Sequence, residues 1–372
     1  MIIESVPTYI NEYINSLERY QGGSTRSAVK NTDTSDWIDK LSSNECWMPS
    51  GLAVKAIKTH AHLVNEYNFQ SDYSLRCALS AHMGGRMVPE QFITGNGGME
   101  ILDFVCRGLL TPGDESIIST PTFLAYKDFI KAPGGKVIDV PLDPETFEVD
   151  IDGILDAITE RTRLIIITSP NNPTGTLITK AQMDKLVAGI PPHLVILYDE
   201  VYHDFVESNV SWPRAEHYIA AGKPVIGLHS FSKAYGLAGI RLGYAFSTPA
   251  IARYLYKLER PFLLNTLTTE AGMAALQDTK HLVKVKKVVE QGRLRLYDAF
   301  ELLGLKYWYS HGNFILFQSP YEGEAFAGDM LDRGIMVRTG EVFAANGCIR
   351  VSIGEAAAVK RFIAALKGVL GR

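Results

Sequence analysis

Three short apolar runs constrain this chain more than any other feature: RLIIITS (163–169), HLVILYD (193–199) and PVIGLHS (224–230). Each is continuous rather than alternating, contains β-branched Val or Ile, and is shorter than an ordinary helix. Runs of this kind are buried on both faces, as in a parallel sheet with helices on each side. QFITG (91–95), ESIIST (115–120) and KVIDVPL (136–142) predict further strands, and helical patterns such as GMEILDFVCRGLL and FLAYKDFIKA alternate with them. The alternation predicts an α/β domain whose mostly parallel sheet binds ligands at the carboxyl ends of its strands. After a helical stretch over about 248–304, NFILFQS and CIRVSIG predict strands of a smaller α+β domain. The first 45 residues predict an arm, a helix followed by the polar stretch QGGSTRSAVKNTDTSDW, that joins the small domain. The expected division is arm 1–45, large domain 46–260 and small domain 261–372. The apolar stripe of the last helix, AAAVKRFIAALKGVL, predicts packing rather than chemistry.

Composition excludes several functions. Among 372 residues, 37 Lys and Arg face 41 Asp and Glu, a formal charge of -4, so nothing draws the chain to nucleic acid or an anionic membrane. Cys46, Cys77, Cys106 and Cys348 are scattered and form no CxxC pair, which argues against a zinc site or a disulfide framework. No apolar run reaches the ~18 residues of a membrane span, and the N-terminus carries acids unlike a signal peptide. A cytoplasmic location is expected. THAH (59–62) and YHD (202–204) do not predict a metal, because histidines at i and i+2 do not share a helix face. GNGG does not predict a dinucleotide site, because no GxGxxG follows.

The chemistry gathers just after the strands. TGNGGME (94–100), SPNNPTG (169–175), YDEVYHDF (198–205) and SFSKAYGLAGIRLGYAF (230–246) each follow a predicted strand. The last is expected to be loop, since Gly236, Gly239 and Gly243 favour neither helix nor strand. A glycine turn at a helix N-terminus frees N–H groups for a phosphate. Ser230, Ser232 and Arg241 can add hydroxyls and a fixed charge to it. Asp199 can hold a proton on a ring nitrogen, Asn172 and Tyr202 can donate to a phenolic oxygen, and Lys233 can form a Schiff base. A phosphorylated aldehyde on a protonated pyridine is pyridoxal phosphate, which uses such a lysine and such an acid.

These pieces resemble the fold type I pyridoxal-phosphate enzymes of the class I/II aminotransferase group, and within it the histidinol-phosphate aminotransferases. LSSNE, GNGGMEIL, PTF, NNPTG, YDEVY, SFSKAYGLAGIRLGY, GNFILF and IRVSIG carry the resemblance, in the family's order, from residue 41 to 354. It implies Lys233 as the Schiff-base lysine, Asp199 as the ring-nitrogen partner, and Tyr202 and Asn172 as partners of the phenolic oxygen. It implies Phe123 stacked on the ring, and Gly98 and Met99 as backbone donors to a phosphate that Ser230, Ser232 and Arg241 also hold. Tyr67 resembles the tyrosine that reaches the neighbouring subunit's cofactor, which implies a homodimer with shared sites. Arg350 resembles the arginine that grips the substrate's anionic group, with Arg338 as a second candidate and Asn44 on the same side. The activity implied is ping-pong amino transfer between an anionic amino acid or amino-phosphate and a 2-oxo acid. The alternative on the same fold is decarboxylation, or elimination or cyclisation of a side chain. Three departures stand out: SNECWMPS (43–50) lacks the family's Asn-Pro turn, Met99 replaces an acid, and Ser169 replaces an Asn. The first predicts Trp47 beside the substrate and hence a substrate other than histidinol phosphate.

Overall fold

The computed structural model describes Tyr13, Leu17 and residues 38–69 and 72–371; apart from those first two residues, the expected N-terminal helix lies outside the described residues. In chain order the strands are β1 (Asp39–Lys40), β2 (Phe92–Gly95), β3 (Glu115–Ile118), β4 (Lys136–Asp139), β5 (Thr162–Thr168), β6 (Val195–Asp199), β7 (Val225–Ser230), β8 (Gly243–Phe246), β9 (Phe314–Gln318), β10 (Ile335–Met336), β11 (Arg338–Thr339) and β12 (Cys348–Ser352). Seven of them form one sheet in the order β2-β8-β7-β6-β5-β3-β4. The pairs among β3 to β7 are parallel, and β8 is antiparallel to both β7 and β2.

The three apolar runs became the central strands for the expected reason. Ile165, Ile167, Ile196 and Tyr198 enter the core on one face, while Leu164, Ile166, Leu197 and Leu228 enter the core on the other. A period of two persists inside an unbroken apolar run because both faces are covered. Fully burying each of these side chains stabilises the fold by roughly 1.5–3 kcal/mol.

The expectation of a loop over all of 230–246 is corrected, because GYAF is β8. Gly243 pairs with Ser230 on one side and Gly95 on the other. A Cβ there would meet the backbone of Gly97 and Gly98 at 2.7 Å. The glycine that argued against a strand permits the strand to run beneath the glycine turn. The expected helical stretch is three helices, Pro249–Tyr256, Thr266–Gln277 and Thr279–Leu303. The last begins at Asp278, whose carboxylate accepts from the His281 N–H at 3.2 Å, and ends at Gly304 with φ of 69°.

Strands β11-β12-β9 form a small antiparallel sheet, and β1 pairs in parallel with β10 beside it. We propose that the two bodies divide at Asp278. Ala271, Ala275 and Leu276 pack in the large core, whereas Val285, Val289 and Leu296 pack in the small one. Among the described residues no helix is long and apolar enough to cross a membrane.

Candidate active site

Register places the strand ends level. Thr168 pairs with Asp199 across β5 and β6, and Ser230 pairs with Gly243 across β7 and β8. A cavity of about 270 Å³ opens at this edge, between the large sheet and the small one. Thirteen residues singled out from the sequence line it: Asn44, Gly98, Met99, Phe123, Asn172, Asp199, Tyr202, Ser230, Ser232, Lys233, Arg241, Arg338 and Arg350. Tyr67 does not; its side chain is exposed and stacks on Phe262 at 4.7 Å.

One end of the cavity is built for an anion. Gly97, at φ 77°, precedes the helix Gly98–Leu109 and supplies no side-chain cap, so the first N–H groups face the cavity edge without one. Arg241 is itself left-handed at φ 58°, and its guanidinium bends back to the Ala238 carbonyl at 3.0 Å and the Asn96 carbonyl at 3.5 Å. A Cβ on Gly97 would run into that guanidinium. The Ser232 N–H donates to Ser230 Oγ at 3.1 Å, which closes the loop around the same spot.

Asp199 lies deeper, at the end of β6. It is buried, and desolvation pushes its carboxyl up to about 6, against the lowering effects of hydrogen bonds from Tyr126 and Val201 and of the nearby Lys233 ammonium. The Tyr126 hydroxyl donates to Asp199 Oδ2 at 2.6 Å and the Val201 N–H to Oδ1 at 3.1 Å. Burial, with the Asp199 charge beside it, holds the Tyr126 hydroxyl well above its ordinary range, so it stays a donor. Sequence reasoning missed Tyr126. The available signal was its position one helical turn after Phe123, whose ring it meets edge-on at 5.5 Å.

The Lys233 Nζ stands 5.3 Å from the centre of the Tyr202 ring. Asn44 donates from Nδ2 to the Tyr202 hydroxyl at 3.0 Å. Asn44 is held in a left-handed conformation, φ 54°, by Ser352, which accepts from its N–H and donates to its Oδ1, both at 2.8 Å.

Arg350 is buried on β12, directly opposite Arg338 on β11. Its guanidinium donates to Asn172 Oδ1 and to the Ser42 carbonyl, both at 2.5 Å, and packs over the Phe343 ring at 4.7 Å. Because Asn172 Oδ1 is taken, its Nδ2 is left as the donor toward the cavity. Trp47, expected beside the substrate, does not line the cavity. It and Cys46 pack against the core of the small domain, whose burial pushes the Cys46 thiol up to about 11. The neighbouring Glu45 faces the cavity instead.

An anion cradle that a single Cβ would fill, a buried carboxylate and a lysine in one cavity fit pyridoxal phosphate. Comparisons with known proteins agree with this chemistry. A family model, Aminotransferase class I and II, matches residues 38–366. The chain is 37% identical to the histidinol-phosphate aminotransferase of Moorella thermoacetica over 361 residues, 96% of this chain and 92% of that one. It is 36% identical to the histidinol-phosphate aminotransferase of Akkermansia muciniphila over 375 residues, 98% of this chain and 100% of that one. Among solved structures, histidinol-phosphate aminotransferase from Sinorhizobium meliloti in complex with pyridoxal-5'-phosphate superposes with a TM-score of 0.87 at 26% identity, covering 99% of each chain. A double mutant of Thermus thermophilus aspartate aminotransferase shares the fold, with a TM-score of 0.84 at 21% identity, over 97% of this chain and 99% of that one. The same architecture, the family match and a site that fits the cofactor make this chain a member of the class I and II aminotransferases, a pyridoxal-phosphate-dependent enzyme of fold type I.

Proposed function

We propose that the enzyme transfers the amino group of histidinol phosphate, or of a closely similar amino-phosphate, to a 2-oxo acid. The observation that carries this reading is the cross-strand pairing of Arg338 with Arg350 at the cavity wall. Like charges directly opposite on a sheet repel, and a dianion between them relieves the repulsion. A phosphate monoester is such a group. The expectation of a different substrate rested on Trp47 beside the reacting centre, and that footing is gone because Trp47 does not line the cavity and packs half-buried against the small-domain core. The names of the curated relatives support the same donor.

In this reading pyridoxal phosphate supplies an aldehyde that takes up an amino group and a ring that accepts the electron pair released at the donor's α-carbon. Lys233 would hold the cofactor covalently through its aldehyde carbon between turnovers; once displaced, its Nζ would take the proton from the donor's amino-bearing carbon and deliver it to that aldehyde carbon. Asp199 keeps a proton on the ring nitrogen, and Tyr126 keeps Asp199 ionised for that task. Tyr202, with Asn44 donating to its oxygen, turns its own proton toward the cofactor's phenolic oxygen, and Asn172 Nδ2 donates there too. Phe123 covers one ring face. The N–H groups of Gly98 and Met99, with Ser230, Ser232 and Arg241, hold the cofactor phosphate. Tyr67 belongs to this reading through a second copy. Tyr67, Phe69 and Phe262 form an exposed aromatic cluster, and a partner subunit that buries it receives the Tyr67 hydroxyl at its own phosphate cradle.

Steady-state kinetics test the proposal. Histidinol phosphate with 2-oxoglutarate is expected to outrank aspartate and aromatic amino acids in kcat/KM, with Arg338→Gln and Arg350→Gln each raising the donor KM at least tenfold. Turnover confined to carboxylate donors would overturn the substrate assignment. Borohydride reduction of the yellow enzyme followed by peptide mapping is expected to mark Lys233, and a mark on any other lysine would overturn the site.

A further inference from the structure

Asp199 and Glu200 are consecutive at the end of β6, so their side chains leave the strand on opposite sides. Asp199 lines the cavity, whereas Glu200 turns away from it and is fully buried, 0% exposed. A buried carboxylate needs partners, and here every partner is a donor. The Ala215 N–H reaches Glu200 Oε1 at 3.1 Å, with Arg214 Nε at 3.7 Å from the same oxygen. His229 Nε2 lies 3.1 Å from Oε2, and His229 Nδ1 lies 2.8 Å from the Tyr244 hydroxyl.

The proton positions along this chain follow from burial. Desolvation pushes the His229 imidazole down to about 3, so it is neutral and carries one N–H. The buried Tyr244 hydroxyl is held above its ordinary range and stays protonated. It donates to Nδ1, which leaves the proton on Nε2 to donate to Glu200. Glu200 follows the cavity-lining Asp199 at the end of β6, His229 precedes the cavity-lining Ser230 on β7, and Tyr244 lies directly opposite His229 on β8.

We propose that Glu200 is a positioning residue of the active site, a buried anion behind Asp199 that locks the three strand ends together through His229 and Tyr244 and, by its own charge, raises the proton affinity of the Lys233-linked cofactor. Other charged groups share its surroundings. His203, stacked on His229 at 3.8 Å, is also held neutral by burial, down to about 4. Asp204 beside it faces Lys286 and His82. Glu216, which pairs with Arg86, adds a second negative charge near Glu200. Burial pushes the Glu200 carboxyl up to about 7, so its charge is present above neutral pH. The inference rests on the cofactor placement between Asp199 and Lys233 proposed above.

The test is a pH titration of the visible cofactor band in wild-type and Glu200→Gln holoenzyme from pH 6 to 10, alongside thermal midpoints. For a charge on the order of 10 Å from the cofactor's Schiff-base nitrogen at an effective dielectric constant of about 20, its removal is expected to lower the band's midpoint by about one pH unit. Tyr244→Phe, which leaves the Glu200 charge in place, is expected to lower the thermal midpoint and leave the band's midpoint unmoved. A Glu200→Gln titration that superposes on the wild type would overturn the proposal and reduce Glu200 to a packing role. Loss of borohydride labelling at Lys233 in the wild type would instead overturn the underlying site. Should Glu200→Gln not fold, carbon-13 NMR of glutamate carboxyl groups in the wild-type holoenzyme decides, with the signal assigned by its loss in Glu200→Asp. An ionised Glu200 at pH 8.5 supports the proposal; a neutral one overturns it.

Discussion

Replacing Tyr126 by Phe removes one oxygen atom and with it the 2.6 Å hydrogen bond to Asp199 Oδ2. The ring itself is buried in the core on that face of the sheet, and Phe keeps its shape. The lost bond is made to a charged acceptor, and such bonds contribute roughly 1.5–3 kcal/mol. Because the bond favours ionised Asp199, its loss favours the protonated form, and at 1.36 kcal/mol per unit the carboxyl rises by about one to two units. In the cofactor-free protein that carries Asp199 from about 6 into or beyond the neutral range. On the role proposed for Asp199, its protonated form in the loaded enzyme no longer holds a proton on the ring nitrogen by charge, so activity falls at low pH. The acid limb of kcat/KM, measured from pH 5.5 to 9 with saturating cofactor, is therefore expected to move to higher pH by about one unit or more. The rate at pH 9 should stay close to wild type, because Asp199 is ionised there in both proteins. An unchanged acid limb would refute the reasoning, whatever happened to overall rate.

Asp199→Ala is expected to weaken cofactor binding only about 10- to 150-fold, the equivalent of one charge-assisted bond of roughly 1.5–3 kcal/mol, while turnover drops by several orders of magnitude. Near-normal turnover in that variant would remove Asp199 from its role. Gly97→Ala places a Cβ against the Arg241 guanidinium in a backbone region almost reserved for glycine, a strain of roughly 1–3 kcal/mol; absorbance titration should show cofactor affinity reduced at least tenfold, and wild-type affinity would count against the cradle. Mixing Lys233→Ala subunits with Tyr67→Phe subunits should restore activity above either parent by forming dimers with one intact site, whereas an active protein that sediments as a monomer would exclude sharing.

Most of the residues that line this cavity were legible in the sequence because they sit next to a strong local signal. Lys233, Asp199 and Asn172 follow unbroken apolar runs that only a doubly covered sheet accommodates, and strand ends in such a sheet meet at one edge whatever the details of packing. Glycine turns and a lone lysine after two serines are local chemistry, and local chemistry survives folding. Four features depended on contacts between segments far apart in the chain. GYAF became β8 only because Gly243 lies against the backbone of Gly97 and Gly98, an approach no periodicity records. Tyr126 looks like one more aromatic on a helix until the end of β6 brings Asp199 within 2.6 Å. Trp47 reads as a substrate neighbour by its place in SNECWMPS, yet apolar contact holds it half-buried against the small-domain core. Arg338 and Arg350 are twelve positions apart in sequence and become direct neighbours through antiparallel register alone. Side-chain type and spacing thus determined which chemistry is present, while pairing register and close backbone approach decided which groups face one another, because those depend on distances that sequence separation does not encode.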